Sequence, residues 1–158
     1  MTNYQIISLS TPILSVAIVG VTTYLFAIKS KKFDLLYASK IPAFKEIAKT
    51  LTEYRSFCLG RVAYYLANEA SPYYNDRIGA FAHRLKIITV TDLNAIFLSK
   101  SNRDDIFNLI GSISTICSIE LRIASKSGDT NDYTDVYLKS AKKTEALIEK
   151  LYKDLNLS

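Results

Sequence analysis

The first charged side chain in the sequence is Lys29, and every residue before it is uncharged. Within that stretch the apolar run Ile6–Ile28 holds 23 residues, which a helix would extend over roughly 34 Å at 1.5 Å per residue. This length matches a hydrocarbon core of about 30 Å, whereas helices in water-soluble domains rarely continue this far without a charge. The pattern predicts one transmembrane helix within residues 5–30.

Lys29, Lys31 and Lys32 follow the apolar run at once, while Met1–Gln5 contains no basic residue. Basic residues stay on the cytoplasmic side of a membrane, so we expect residues 31–158 to form a cytoplasmic domain. The predicted location is the inner (cell) membrane, with a single pass and the lipid bilayer as a partner. A signal peptide is a poorer interpretation, because it would begin with basic residues and end at a small-residue cleavage site.

The apolar run also carries small and hydroxyl-bearing residues at three- and four-residue spacing. Such residues let membrane helices approach closely, although they are also simply tolerated there. Close approach predicts a homo-oligomer. The helix could start at Thr11–Pro12, a capping hydroxyl before a first-turn proline, or earlier, near Tyr4. The residues that we assign to the membrane segment and its flank are Ile6, Pro12, Ser15, Gly20, Ile28, Lys29, Lys31 and Lys32.

The net charge of +5 comes from residues 29–66, which hold eight basic and three acidic residues, whereas residues 67–158 hold twelve of each. Attraction to acidic lipid explains a basic region beside a membrane, and a surface for nucleic acid or a cyclic nucleotide is the alternative. Two cysteines without a CxxC spacing and a single histidine do not form a zinc motif. We therefore expect neither a metal nor a cofactor.

Helical periodicity continues after the apolar run, so the predicted fold is all-α, one N-terminal transmembrane helix followed by a cytoplasmic four- to five-helix bundle. Lys40-Ile41-Pro42 predicts a break before a helix from Pro42 to about Asn68. Later helices are expected over about 101–125 and about 133–155. Between them, a helix capped by Asn75 or Asp76 would bury one apolar stripe, made of Ile78, Phe81, Leu85 and Ile88.

Arg77 and His83 are the pair with the most chemical content. His83 is the sole histidine, and its ordinary pKa of about 6.5 suits proton transfer, while an arginine stabilises charge on a phosphate. Arg84 lies on nearly the same helical face as Arg77, and Tyr73 and Tyr74 could stack on a base. The candidate catalytic residues are Arg77 and His83, and the candidate ligand-binding residues are Arg84, Tyr73 and Tyr74. The alternative is that His83 is a partly buried structural residue.

The spacing from Arg77 to His83 in an all-helical domain resembles the R-x4–6-H signature of HEPN (higher eukaryotes and prokaryotes nucleotide-binding) domains, many of which are dimeric RNases. With one membrane helix in front, the layout resembles the small membrane accessory proteins of type VI CRISPR systems. By layout alone it is also similar to type III membrane effectors that bind cyclic oligoadenylate. The resemblance implies a homo-oligomeric membrane pore in antiviral defence, with a CRISPR effector, RNA or a cyclic oligonucleotide as partner.

Three functional hypotheses follow. The first is a non-enzymatic, membrane-anchored, homo-oligomeric helical protein that acts at or through the membrane, in a pore-like manner and in antiviral defence. The second is a membrane-tethered, HEPN-like, metal-independent RNase or cyclic-oligonucleotide-binding effector that uses Arg77 and His83. The third is a membrane adaptor that recruits a cytoplasmic partner through the surface of its bundle.

Overall fold

The computed structural model describes residues 3–67, 71–72, 78–125 and 133–155, with side chains described from residue 19 onward. These residues form helices and their connections, and no strand occurs among them. The helices are α1 (Asn3–Tyr65), α2 (Ala80–Leu93), α3 (Lys100–Ala124) and α4 (Tyr133–Asp154), with one 3₁₀ turn at Ala95–Phe97. The predicted all-α fold is confirmed.

The chain divides into two compact units, Met1–Lys40 and Ile41–Ser158. The division lies next to Pro42, where the sequence predicted the end of a helix. That prediction is wrong, because α1 continues through Pro42 to Tyr65. An internal proline removes one backbone hydrogen bond and costs about 3 kcal/mol. The burial of Phe44 and Leu51 in the turns that follow contributes free energy of comparable size.

In the second unit, the last part of α1 packs with α2, α3 and α4 as a four-helix bundle in which helices adjacent in the chain run antiparallel. Glu46 and Glu53 on α1 contact Asn94 and Lys86, so α1 and α2 run in opposite directions. The other pairs of neighbouring helices are joined by Arg84–Ser114, Asn102–Asp154 and Tyr54–Ser140. The bundle therefore has an up-down-up-down topology.

Helix α3 supplies one side of the core, and its middle, Ile106–Ile119, carries no charged residue. Ser99 caps its start, because the Ser99 Oγ accepts a hydrogen bond from the Asn102 backbone N–H at 3.2 Å. The sequence placed the middle of this helix at the centre of the core, and the burial confirms that prediction. The buried residues of that stretch are Ile106, Leu109, Ile110, Ile113, Ile116 and Ile119.

Among the described residues, α3 is also the one helix that is long and apolar enough to cross a membrane. Its isoleucines face α2 and α4 inside the bundle, and the core helix of a soluble domain meets the same criterion of length and composition. We therefore interpret α3 as a core helix. The side chains of residues 1–18, which include most of the predicted membrane segment, lie outside the described residues.

The buried side of α2 is not the predicted one. Phe81 and Leu85, expected in the core, are 65% and 56% exposed, and Ile78 is also exposed. The buried side chains are instead Ala80, His83, Ile87, Val90 and Thr91. The helix has apolar residues on two sides, and the side with smaller and more polar residues faces the core because α2 approaches α1 and α3 there. Three residues of the predicted stripe therefore lie on the surface, whereas the fourth, Ile88, is partly buried against the core.

Candidate functional site

His83 lies inside the bundle and is 3% exposed. Its ring centroid is 4.9 Å from that of Phe57 and 6.0 Å from that of Tyr54, both on α1. A general acid or base must come within hydrogen-bonding distance of the proton that it transfers. A phosphodiester in solvent cannot approach this imidazole unless α2 moves, so the surroundings of His83 are those of a structural residue.

Arg77, Tyr73 and Tyr74 lie outside the described residues, so their predicted roles remain predictions. Arg84 is described and is partly buried. Its Nε donates a hydrogen bond to the Ser114 Oγ at 3.0 Å, which joins α2 to α3. The expected phosphate clamp of Arg77 and Arg84 thus includes one guanidinium that already has a partner in the bundle.

Glu120 connects three helices near the start of α2. Its Oε2 accepts a hydrogen bond from the Ala80 backbone N–H at 2.8 Å, and its Oε1 lies 3.1 Å from Arg61 Nη2 on α1. Gly79 precedes α2 and has no side chain with which to cap it. A carboxylate is favourable at the positive end of a helix dipole, so Glu120 on α3 acts as the cap that the local sequence lacks.

The sequence analysis did not predict this arrangement, although the sequence contains an indication of it. Glu120 is the sole acidic residue between Ile106 and Arg122, in a stretch otherwise typical of a core helix. A lone carboxylate in such a stretch needs a partner. The guanidinium of Arg61 supplies it, and also lies 5.3 Å from the centre of the Phe57 ring.

Hydroxyl and thiol groups from α1 and α4 meet deeper in the bundle. The Tyr54 hydroxyl and the Ser140 Oγ are 2.7 Å apart. Burial raises the pKa of Tyr54 and of Tyr137 well above the ordinary value. Burial likewise raises the pKa of the Cys58 thiol to about 12. These groups are therefore neutral at physiological pH, and Cys58 is a poor nucleophile because its thiolate is scarcely populated.

The structure describes the surroundings of only part of the predicted membrane segment. Ile6, Pro12 and Ser15 lie among the residues whose side chains are not described. Gly20 is described, and a Cβ built on it would meet no atom within 4 Å. Ile28 is half-buried. The lysines of the flank, Lys29, Lys31 and Lys32, are exposed.

No three His, Cys, Asp or Glu side chains come together as a possible metal site in the part of the chain that the structure describes. No protein-family model matches the chain, and no curated protein or solved structure is similar to it.

Proposed function

We propose that this chain is a membrane-anchored, homo-oligomeric helical protein that acts at or through the inner membrane, with its bundle in the cytoplasm. One observation carries the proposal. Over nearly five helical turns of the first unit, large apolar side chains are more than half exposed on every side of α1. They are Val19, Val21, Tyr24, Leu25, Phe26, Phe33, Leu35 and Leu36.

The free energy of this exposure argues for a bilayer. Burying one large apolar side chain is worth about 1.5–3 kcal/mol, so the five that precede Lys29 forgo at most roughly 8–15 kcal/mol in water. The whole stability of a typical domain is only about 5–15 kcal/mol. The sequence that precedes Val19 is also free of charges, and the apolar run Ile6–Ile28 has the length that a bilayer requires. Lipid therefore suits this helix better than water does.

The flank of the segment fits a membrane interface. Beyond the three lysines, the Phe33 and Tyr37 ring centroids are 4.6 Å apart, and the Lys40 Nζ lies 5.9 Å from the centre of the Tyr37 ring. Aromatic rings and lysine stems are favoured at the level of the lipid headgroups. Lysines on this side support a cytoplasmic position for the bundle.

Self-association and pore-like action complete the proposal. The uncovered backbone at Gly20 and the small residues of the apolar run support close helix contacts. Antiviral defence beside a CRISPR effector is the setting that the resemblance implies. The burial of His83 argues against the RNase alternative, because a catalytic imidazole must meet its substrate.

Membrane anchoring can be tested on the full chain in cells. We expect the wild type to pellet with membranes and to stay there after an alkaline carbonate wash, with a reporter fused after Ser158 active in the cytoplasm. Ala17→Lys with Ile18→Lys, in the middle of the run Ile6–Ile28, should release it, since each lysine at the centre of a membrane helix costs about 2.5–3.5 kcal/mol of insertion. The matched control is Leu93→Lys with Ile96→Lys, at exposed positions of the bundle. A soluble wild type, or a reporter active only in the periplasm, would contradict the proposal.

A further inference from the structure

The side of α2 that turns away from the core continues onto α3 as one apolar surface. Phe81 lines a groove of about 300 Å³ with Cys117, Leu121 and Ala124 of α3 and the edge of Glu120. Leu85 and Ile88 lie one and two turns further along the same side of α2. Ile88 and Cys117 also pack partly against the bundle core, whereas the other members are exposed. We call this surface the α2–α3 face, and it consists of Phe81, Leu85, Ile88, Cys117, Leu121 and Ala124.

An exposed apolar face of this kind is expected to be covered by a binding partner. A helix with apolar residues on two sides is typical of a buried helix, yet Phe81, Leu85 and Leu121 are 65%, 56% and 71% exposed. Large apolar side chains that are exposed together on one surface mark interaction sites. The buried centre of a homodimer interface is likewise more apolar than the rest of a protein surface. The face therefore has the composition of such a centre.

We propose that the α2–α3 face packs against the same face of a second copy of this chain. A two-fold contact places identical patches together, so a patch with an unpaired charge would repel itself. Two charged groups at the edge of this face are engaged within their own bundle. Arg84 is bonded to Ser114, and Glu120 is bonded to the start of α2 and paired with Arg61. Asp92, exposed one turn beyond Ile88 on the same side of α2, marks the charged end of the face. The part from Phe81 to Ile88 can thus meet its copy without burying an unpaired charge.

A lipid surface fits the face less well. Membrane-binding faces combine apolar residues with a rim of free lysines and arginines. Here Arg84 is bonded to Ser114, and Lys86, two residues later, is paired with Glu53 on α1. The inference deepens the proposed function, since it names the surface through which the cytoplasmic bundles pair.

Cys117 provides a built-in probe of the interface. It is half-buried within the face, whereas Cys58 is buried in the core. The full chain in mild detergent is treated with a maleimide over a hundredfold range of protein concentration, and peptide masses report the rate at each cysteine. We expect Cys117 to react about tenfold more slowly at the highest concentration, as an assembled interface excludes the reagent. Cys58 should stay unmodified throughout.

Leu85→Glu is the first test variant, and Leu121→Glu, on the other helix, is the second. Both positions are exposed, so the bundle should fold, and each should abolish the concentration-dependent protection. Tyr152→Glu on α4 is the matched control, because Tyr152 is 53% exposed outside the face. It should keep the protection.

Three outcomes would overturn the inference. Equal rates in wild type and Leu85→Glu at every concentration would mean that the face is not an interface. Protection that is independent of concentration in a monomer would mean that another segment of the same chain covers it. Protection that appears only in lipid discs holding a single copy would assign it to lipid. Concentration-dependent protection in a chain that fails to pellet with membranes would keep this inference and reject the membrane anchor.

Discussion

Several polar side chains in the bundle core are held by neighbouring helices. Glu120 joins α1, α2 and α3, the Tyr54 hydroxyl contacts α4 through Ser140, and the His83 ring lies beside aromatic rings of α1. Each of these contacts joins residues far apart in the sequence. Single substitutions at these positions should therefore change the stability of the bundle.

Glu120→Ala should lower the free energy of unfolding by about 1–3 kcal/mol, because it removes the cap of α2 and leaves Arg61 without its partner. Glu120→Gln keeps an acceptor for the Ala80 N–H and should lose less. Thermal melting of the full chain, followed by circular dichroism, measures both. Glu149→Ala, at an exposed position of α4, is the control. Equal melting of Glu120→Ala and this control would show that the contact is not stabilising.

Stability should fall as pH rises above about 8.5, because the thiol of Cys58 ionises in the unfolded chain while the folded pKa is about 12. The folded state then binds the extra proton, so the loss continues up to the folded pKa. Cys58→Ala should flatten the dependence between pH 8.5 and 10. Melting temperatures of both proteins at pH 7, 8.5 and 10 test this, and parallel curves would contradict it.

His83→Ala should lower the free energy of unfolding by about 2–4 kcal/mol, since it leaves a cavity beside Phe57 and Tyr54. His83→Phe fills the cavity with a somewhat larger ring and cannot transfer a proton, and it should recover part of the stability and keep the biological activity. The purified wild type should cut no RNA. Metal-independent cleavage that both variants abolish without a change in melting would instead make His83 catalytic.

At the scale of helices, periodicity predicted α3 and α4 well because each has a single apolar face. It failed at α2, where two apolar sides compete and the buried one contains Ala80, His83 and Thr91. The sequence of α2 alone does not specify which of its sides packs against α1 and α3. The prediction of a helix break at Pro42 failed for a related reason. The local free-energy cost of a proline can be read from the sequence, but the packing of the following turns cannot. The cap from Glu120 likewise depends on a contact that spans 40 residues.

Because α2 buries the side opposite to the predicted one, substitutions on its two sides should differ in their effect on stability. Ile87→Ala should cost about 2–4 kcal/mol, because Ile87 is 2% exposed, whereas Leu85→Ala should cost less than about 0.5 kcal/mol. Both changes shorten a branched aliphatic side chain within the same helix. Denaturant unfolding in dilute protein, where any dimer is dissociated, measures the difference. A larger loss for Leu85→Ala than for Ile87→Ala would mean that the apolar stripe predicted from the sequence is the buried side of α2.

At the scale of the whole molecule, the proposed assembly would have two separate contacts, one in the membrane segment and one on the α2–α3 face. The first involves Gly20, whose backbone is uncovered. The second involves Leu85 and its neighbours. Substitutions in each should act independently, because distant sites add in free energy.

Gly20→Leu should weaken the homo-oligomer in detergent, since added bulk forces two close helices apart. Val21→Leu, at the adjacent and already bulky position, is the control and should leave the mass unchanged. Light scattering over a range of concentrations should show a shift to smaller species for Gly20→Leu alone. A wild-type monomer at every concentration would remove the assembly and the pore with it.

The contact between Tyr54 and Ser140 also has a consequence for biosynthesis. The two residues are 86 positions apart, and the contact joins the first helix of the bundle to the last. At about 5–20 residues per second, a ribosome needs roughly 4–17 s to make the chain between them. During that time the α4-facing side of α1 has no final partner. Each nascent chain therefore passes through an interval in which its core is open to chaperones, proteases and neighbouring nascent chains.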